Sequence, residues 1–189
     1  MLYHINQKDY QSLLQNRDIS NIEKTEMFAL YSRINTLYMI AKAGSGHIGT
    51  SFSSMDIFSW MHLNVLTDDD LFFSSKGHDA PGLYSVLIGI GKLNYEYIHQ
   101  LRRLNGLPGH PDVTTTPCMV TNTGSLGMGI SKAKGLALAN RLDNKKGRVY
   151  VLTGDGELQE GQFWESLSGA VNGKFEEITV IIDHNKIQS

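Results

Sequence analysis

Residues 148–156 read RVYVLTGDG, and residues 178–185 read ITVIIDHN. Each begins with a short, β-branched, apolar run of the kind that fills a parallel strand buried on both faces. Each run then ends abruptly in polar and glycine residues. The segment between them, residues 158–172, has the composition of a helix. Strand, glycine turn, helix and strand make a right-handed βαβ unit. Asn185 follows Asp155 by 30 positions, about the length of one crossover. The spacing therefore predicts Asp155 and Asn185 at the carboxyl edge of one sheet, where open α/β sheets bind ligands.

Working outward, residues 22–43 read as a helix capped by Ser20 or Asn21 and ended by Gly44 and Gly46. Shorter helices are expected at 54–64, 82–90 and 94–104, and an Ala- and Leu-rich one at 127–142. All four prolines fall between 81 and 117, in a loop-rich middle where sites tend to be built. The expected class is α/β, a mostly parallel sheet with helices on both faces. The organisation expected is a polar N-terminal arm, 1–21, followed by one domain, 22–189. An open sheet normally runs on past a second strand, so the fold is read as incomplete at its C-terminus.

The chain has 189 residues with 17 Lys plus Arg against 19 Asp plus Glu. This balance excludes electrostatically driven binding to nucleic acid or a membrane surface as the first reading. An apolar fraction of 41% supports a packed core. The single cysteine, Cys118, excludes an internal disulfide framework and a multi-cysteine zinc site, and points to the cytoplasm. No run approaches about 18 apolar residues, and the first residues lack a signal-segment pattern.

The Gly154-Asp155-Gly156 turn, followed by a helix, offers close backbone approach and unpaired N–H groups to an anion. The Asp155 carboxylate, the Asn185 amide oxygen and a nearby carbonyl are hard oxygen donors that suit Mg²⁺ or Ca²⁺ bridging to a diphosphate. A bland reading stands beside this one: a Gly-Asp-Gly turn is also an ordinary capped turn. Three further turns, Gly46-His47, Gly77-His78 and Gly109-His110, present histidines in loops. Such groups can donate to hydroxyl or phosphate oxygens and move protons near neutral pH. A Gly-His pair can equally be structural, and Glu160 can be a solvated helix residue.

Six segments in order then form a pattern: SGHIG at 45–49, SKGHDAPGLY at 75–84, LPGHPD at 107–112, TGSLGMGIS at 123–131, GDGELQEGQFWE at 154–165 and DHNKIQ at 183–188. Together they resemble the diphosphate-binding part of transketolase, a thiamine diphosphate enzyme. The resemblance implies a thiamine diphosphate-binding fold and transfer of a two-carbon ketol unit from a ketose (phosphate) to an aldose (phosphate). It implies that Asp155 and Asn185 hold Mg²⁺ or Ca²⁺ through side chains and Ile187 through its carbonyl. The Gly156 amide and His78 would meet the diphosphate, and Gly124 and Leu126 would line the thiamine pocket. His47 and His110 would face the substrate hydroxyls. Glu160 would sit at a subunit interface.

The loop after SGHIG continues as TSFSS, which departs from the family pattern and bears on the substrate channel. The resemblance further implies a partner, a pyrimidine-binding domain or subunit, in a dimer or higher oligomer. The 189 residues alone would then be inactive. Another thiamine diphosphate enzyme, similar to deoxyxylulose phosphate synthase or a 2-oxo acid dehydrogenase, is the alternative, as is a cofactor-binding module without its own activity.

Overall fold

A computed structural model describes residues 2–186. Ile187, expected to offer its carbonyl to a metal, therefore lies outside the described residues. Two compact units emerge. One takes the chain up to Val65 together with His78–Cys118. The other takes Leu66–Gly77 and the chain from Met119 onward.

The first unit is helical. Helix α1 (Gln7–Gln15) begins at an Asn6–Asp9 capping box and α2 (Asn21–Ala43) at a Ser20–Glu23 capping box. Gly44 ends α2 in the left-handed conformation, with φ of 72°. The short helices α3 (Ile48–Ser53) and α4 (Met55–Trp60) follow, and α4 runs into one π turn at Met61–Val65. Helix α5 (Ala80–Gly89) carries Pro81 in its first turn and is buried along its whole length. A helix apolar on every side must be surrounded, and α1, α2, α3 and α4 all pack on it. Gly89 is small because the Tyr10 and Phe28 rings lie where its Cβ would be.

The N-terminal arm is more ordered than its polar composition predicts. Tyr10 and Leu13 of α1 are buried, and the Ile5 amide donates to Asn35 Oδ1 at 2.7 Å. The helix expected at 94–104 is a correction: only a 3₁₀ turn forms, at Tyr95–His99. Beyond it, Arg102 and Asn105 take positive φ, 55° and 61°, which no helix tolerates. The chain instead folds back, pairing Leu101 with Leu107 and burying both.

His62, in the π turn, has both ring nitrogens shielded from solvent. Burial first, and the Lys92 charge second, push its pKa from 6.5 down to about 4. The unfolded chain therefore binds a proton that the folded chain excludes between those values. Above pH 6.5 this group costs nothing; as pH falls to 4 it removes at most about 3 kcal/mol of stability. Urea unfolding at several pH values should show that loss, and His62→Gln should flatten the slope within that window. An unchanged slope would contradict the assignment.

The second unit holds a parallel sheet of order β1-β2-β3, with β1 (Leu71–Ser74), β2 (Val149–Gly154) and β3 (Ile178–Asp183). Helix α6 (Gly129–Leu142) packs on β2 and β3, and α7 (Gly161–Asn172) packs on α6. Phe73, Ala133, Ala137, Val149 and Val151 form the core between sheet and α6. The fold class is thus α/β with a parallel sheet, as expected, and β1 is a strand that the patterning did not single out. Among the described residues, no helix is long and apolar enough to cross a membrane.

Candidate functional site

The register pairs Gly154 with Asp183, so β2 and β3 end side by side. From there β2 passes into a 3₁₀ turn, Asp155–Gln159, and β3 into the turn carrying Asn185. The Lys186 amide donates to Asp155 Oδ2 at 2.9 Å, and the Gly156 amide donates to Oδ1 at 3.1 Å. His184 Nδ1 lies 3.5 Å from Asp155 Oδ2. Asp155 therefore links the two segments, and Asp155 and Asn185 follow adjacent strand ends, where the 30-residue spacing put them. Its side chain keeps 13% of its surface open to solvent.

Beneath this edge lies a buried ion pair that sequence reading missed. Lys76 Nζ donates to Asp183 Oδ2 at 2.7 Å, with side chains 4% and 7% exposed. The Lys76 stem passes under Gly154, where a Cβ would come within 3.2 Å of its Cδ. A lysine beside a glycine turn and an aspartate at a strand end are each common. Their pairing across 107 positions has no sequence signature.

Glu157, also missed, is 1% exposed. Its Oε1 accepts from Ser75 Oγ at 2.5 Å and from the Gly127 amide at 2.8 Å; its Oε2 accepts from the Gly154 amide at 2.9 Å. The loop before α6 packs tightly on the same edge. Gly77, with φ of 69°, sits so close that a Cβ would lie 2.5 Å from the Gly124 amide nitrogen. Gly127, with φ of 77°, packs on the Glu160 side chain, where its Cβ would come within 2.7 Å. Leu126 and Glu160 are exposed.

The three loop histidines, His47, His78 and His110, belong to the helical unit. His47 stands at the N-cap position of α3 without a side-chain cap bond, and His78 precedes α5; their rings meet edge to face with centroids 5.4 Å apart. His110 is held below the usual imidazole range by partial desolvation first, then by the charges of His78, Arg102 and His47. Arg102 Nη1 in turn donates to Ser45 Oγ at 2.8 Å, and its guanidinium lies against Gly109. His47 and His78 thus meet as a pair, and His110 feels the charge of both. Of the other histidines, His4 and His99 pack with Tyr38 instead.

A parallel α/β sheet with acidic and amide side chains gathered at its carboxyl edge defines the class of ligand-binding α/β domains. The match to known proteins narrows it further. Residues 24–189 match the family described as transketolase, thiamine diphosphate binding domain, so this chain belongs to the transketolase family. It is 36% identical over 170 residues to one of the subunits of apulose-4-phosphate transketolase from Actinobacillus succinogenes, covering 85% of this chain and 61% of that relative. Against a 6-deoxy-6-sulfo-D-fructose transketolase subunit of a Clostridium species, identity is 35% over 163 residues, covering 81% and 59%. Human transketolase is 34% identical over 166 residues, covering 82% and 26%. Among solved structures, transketolase from Pichia stipitis in complex with sedoheptulose-7-phosphate matches with a TM-score of 0.77 and 29% identity, over 87% of this chain and 27% of that one. Transketolase from Leishmania mexicana matches with a TM-score of 0.76 and 29% identity, over 84% and 27%. The chain thus spans about six tenths of the subunit relatives and about a quarter of the longer enzymes.

Proposed function

We propose that this chain supplies the diphosphate-binding part of a two-carbon ketol transferase that uses thiamine diphosphate and Mg²⁺ or Ca²⁺. The observation that carries the reading is Asp155 bridging the β2 and β3 turns through the Lys186 amide. The donor set there, an aspartate carboxylate and the Asn185 amide at adjacent strand ends, fits a hard divalent cation. Asp155, Asn185 and the Ile187 carbonyl would hold that cation. The Gly156 amide and His78 would hold the diphosphate, and Gly124 and Leu126 would line the pocket for the thiamine rings.

When bound, thiamine diphosphate supplies the nucleophilic carbon and the electron sink for breaking and making the carbon–carbon bond. This chain's residues orient that group and handle protons. His47 and His110 would handle protons toward the sugar hydroxyls, beside His78 at the diphosphate. The depressed pKa of His110 keeps it neutral near pH 7, able to accept a proton from a hydroxyl. Glu160, exposed at the start of α7, would sit at the interface with a partner. That partner is proposed as a pyrimidine-binding domain or subunit in a dimer or larger assembly, consistent with relatives named as transketolase subunits. The proposed substrates are sugar phosphates or similarly anionic sugars, and the proposed setting is the cytoplasm.

A labelled-donor assay tests this reading. The intact protein with its partner is incubated with thiamine diphosphate, Mg²⁺, a ketose phosphate labelled in its first two carbons, and an aldose phosphate. The expected product is the acceptor lengthened by two labelled carbons. His110→Ala should lower turnover by roughly a hundredfold to ten-thousandfold, the range for a lost proton-transfer group. Consumption of a 2-oxo acid without two-carbon transfer would favour a different thiamine diphosphate reaction.

A further inference from the structure

Three donors converge on Glu157 from three separate segments. Ser75 Oγ comes from the end of β1, the Gly127 amide from the loop before α6, and the Gly154 amide from the end of β2. Two of the three are backbone N–H groups, which can only donate. Only a group that accepts at both of its terminal atoms satisfies all three at once, and a carboxylate does so. The side chain is 1% exposed, so water cannot stand in for it. Burying a carboxylate is unfavourable unless its oxygens are hydrogen-bonded, and here both are.

The segments it ties are those the proposed function assigns to the cofactor. Gly127 closes the loop containing Gly124 and Leu126. Gly154 opens the turn containing Asp155 and Gly156. We infer that Glu157 is a positioning residue that sets the thiamine-facing loop against the diphosphate-facing turn before cofactor arrives. This rests on the proposed reading of those two loops. Glu157 need not touch the cofactor; it removes the ordering cost that two glycine-containing loops would otherwise bear on binding.

Glutamine has the same shape but presents an NH₂ where one oxygen stood. Whichever way it turns, it faces Gly127 N–H or Gly154 N–H with a donor. Glu157→Gln in the intact protein should therefore weaken Mg²⁺–thiamine diphosphate affinity roughly tenfold to a hundredfold, as for a buried amide left unpaired. The kcat at saturating cofactor should stay within about threefold, because the loops are restored once the ligand holds them. A merely structural role would lower the melting temperature without that split. Ser75→Ala removes only the hydroxyl donor and should change affinity by less than about threefold. Amide exchange in the cofactor-free wild-type protein gives a readout that needs no variant to fold. The Gly127 and Gly154 amides should exchange far more slowly than that of Ser125, in the exposed part of the loop.

Wild-type affinity in Glu157→Gln, or Gly127 and Gly154 amides exchanging as fast as Ser125, would overturn the inference alone. A wild-type protein that fails to bind Mg²⁺–thiamine diphosphate would overturn the underlying reading of the site.

Discussion

Asp155→Ala is expected to weaken metal-dependent thiamine diphosphate binding by at least about a hundredfold and to abolish ketol transfer. Asp155 is the carboxylate of the turn that follows β2, mostly covered but with 13% of its side chain open to solvent. Its removal takes away the one full negative charge in the proposed donor set of Asp155, Asn185 and the Ile187 carbonyl. Hard divalent cations bind through such charge, so the two neutral donors left would hold the ion weakly. A hundredfold corresponds to about 2.7 kcal/mol, modest for a directly coordinating carboxylate. The alanine also frees the Lys186 amide, loosening the turn that presents Asn185. Asp155→Asn keeps the shape and should fall between the two. Calorimetric titration with Mg²⁺ at saturating thiamine diphosphate reads the change. An affinity within threefold of wild type would remove Asp155 from the site.

Lys76→Met should destabilise the fold by about 3–5 kcal/mol, the cost of leaving a buried charge without its partner. The 2.7 Å pair with Asp183 is almost fully enclosed, so water cannot replace the ammonium. Replacing both partners should do less harm, since a well-packed apolar pair often matches a buried ion pair. Urea unfolding of wild type, Lys76→Met and the double variant Lys76→Met/Asp183→Leu measures this. The double variant should recover a substantial part of the loss. A Lys76→Met protein as stable as wild type would show that the pair contributes nothing. Because Asp183 lies two residues before Asn185, the single variant should also weaken cofactor binding.

The elements read correctly from sequence are those whose physics is local. The β2 and β3 runs are β-branched and apolar with glycine or polar stops, and α2 carries its own capping box and glycine terminator. Strand β1 has four residues, too few for a period to declare itself, and it is held by its pairing with β2. Residues 94–104 carry helical composition, yet the backbone reversal at Arg102 and Asn105 wins because it buries Leu101 and Leu107. The placing of Asp155 and Asn185 after adjacent strand ends was legible because strand topology brings successive strand ends together. The histidines were legible as loop residues, but their meeting was not. Glu157 and Lys76 were hidden for the same reason: each acts on residues far away in sequence. A glutamate three residues after a strand looks like any solvated turn residue until Ser75 and Gly127 arrive.

The most direct test is a titration of the intact protein with thiamine diphosphate, run with Mg²⁺ and again with the metal chelated. Saturable binding that requires the metal, and that Asp155→Ala abolishes, is the predicted result. Binding that is equally tight without metal, or no binding by wild type in either condition, would contradict the assignment of the β2 and β3 turns as the diphosphate site.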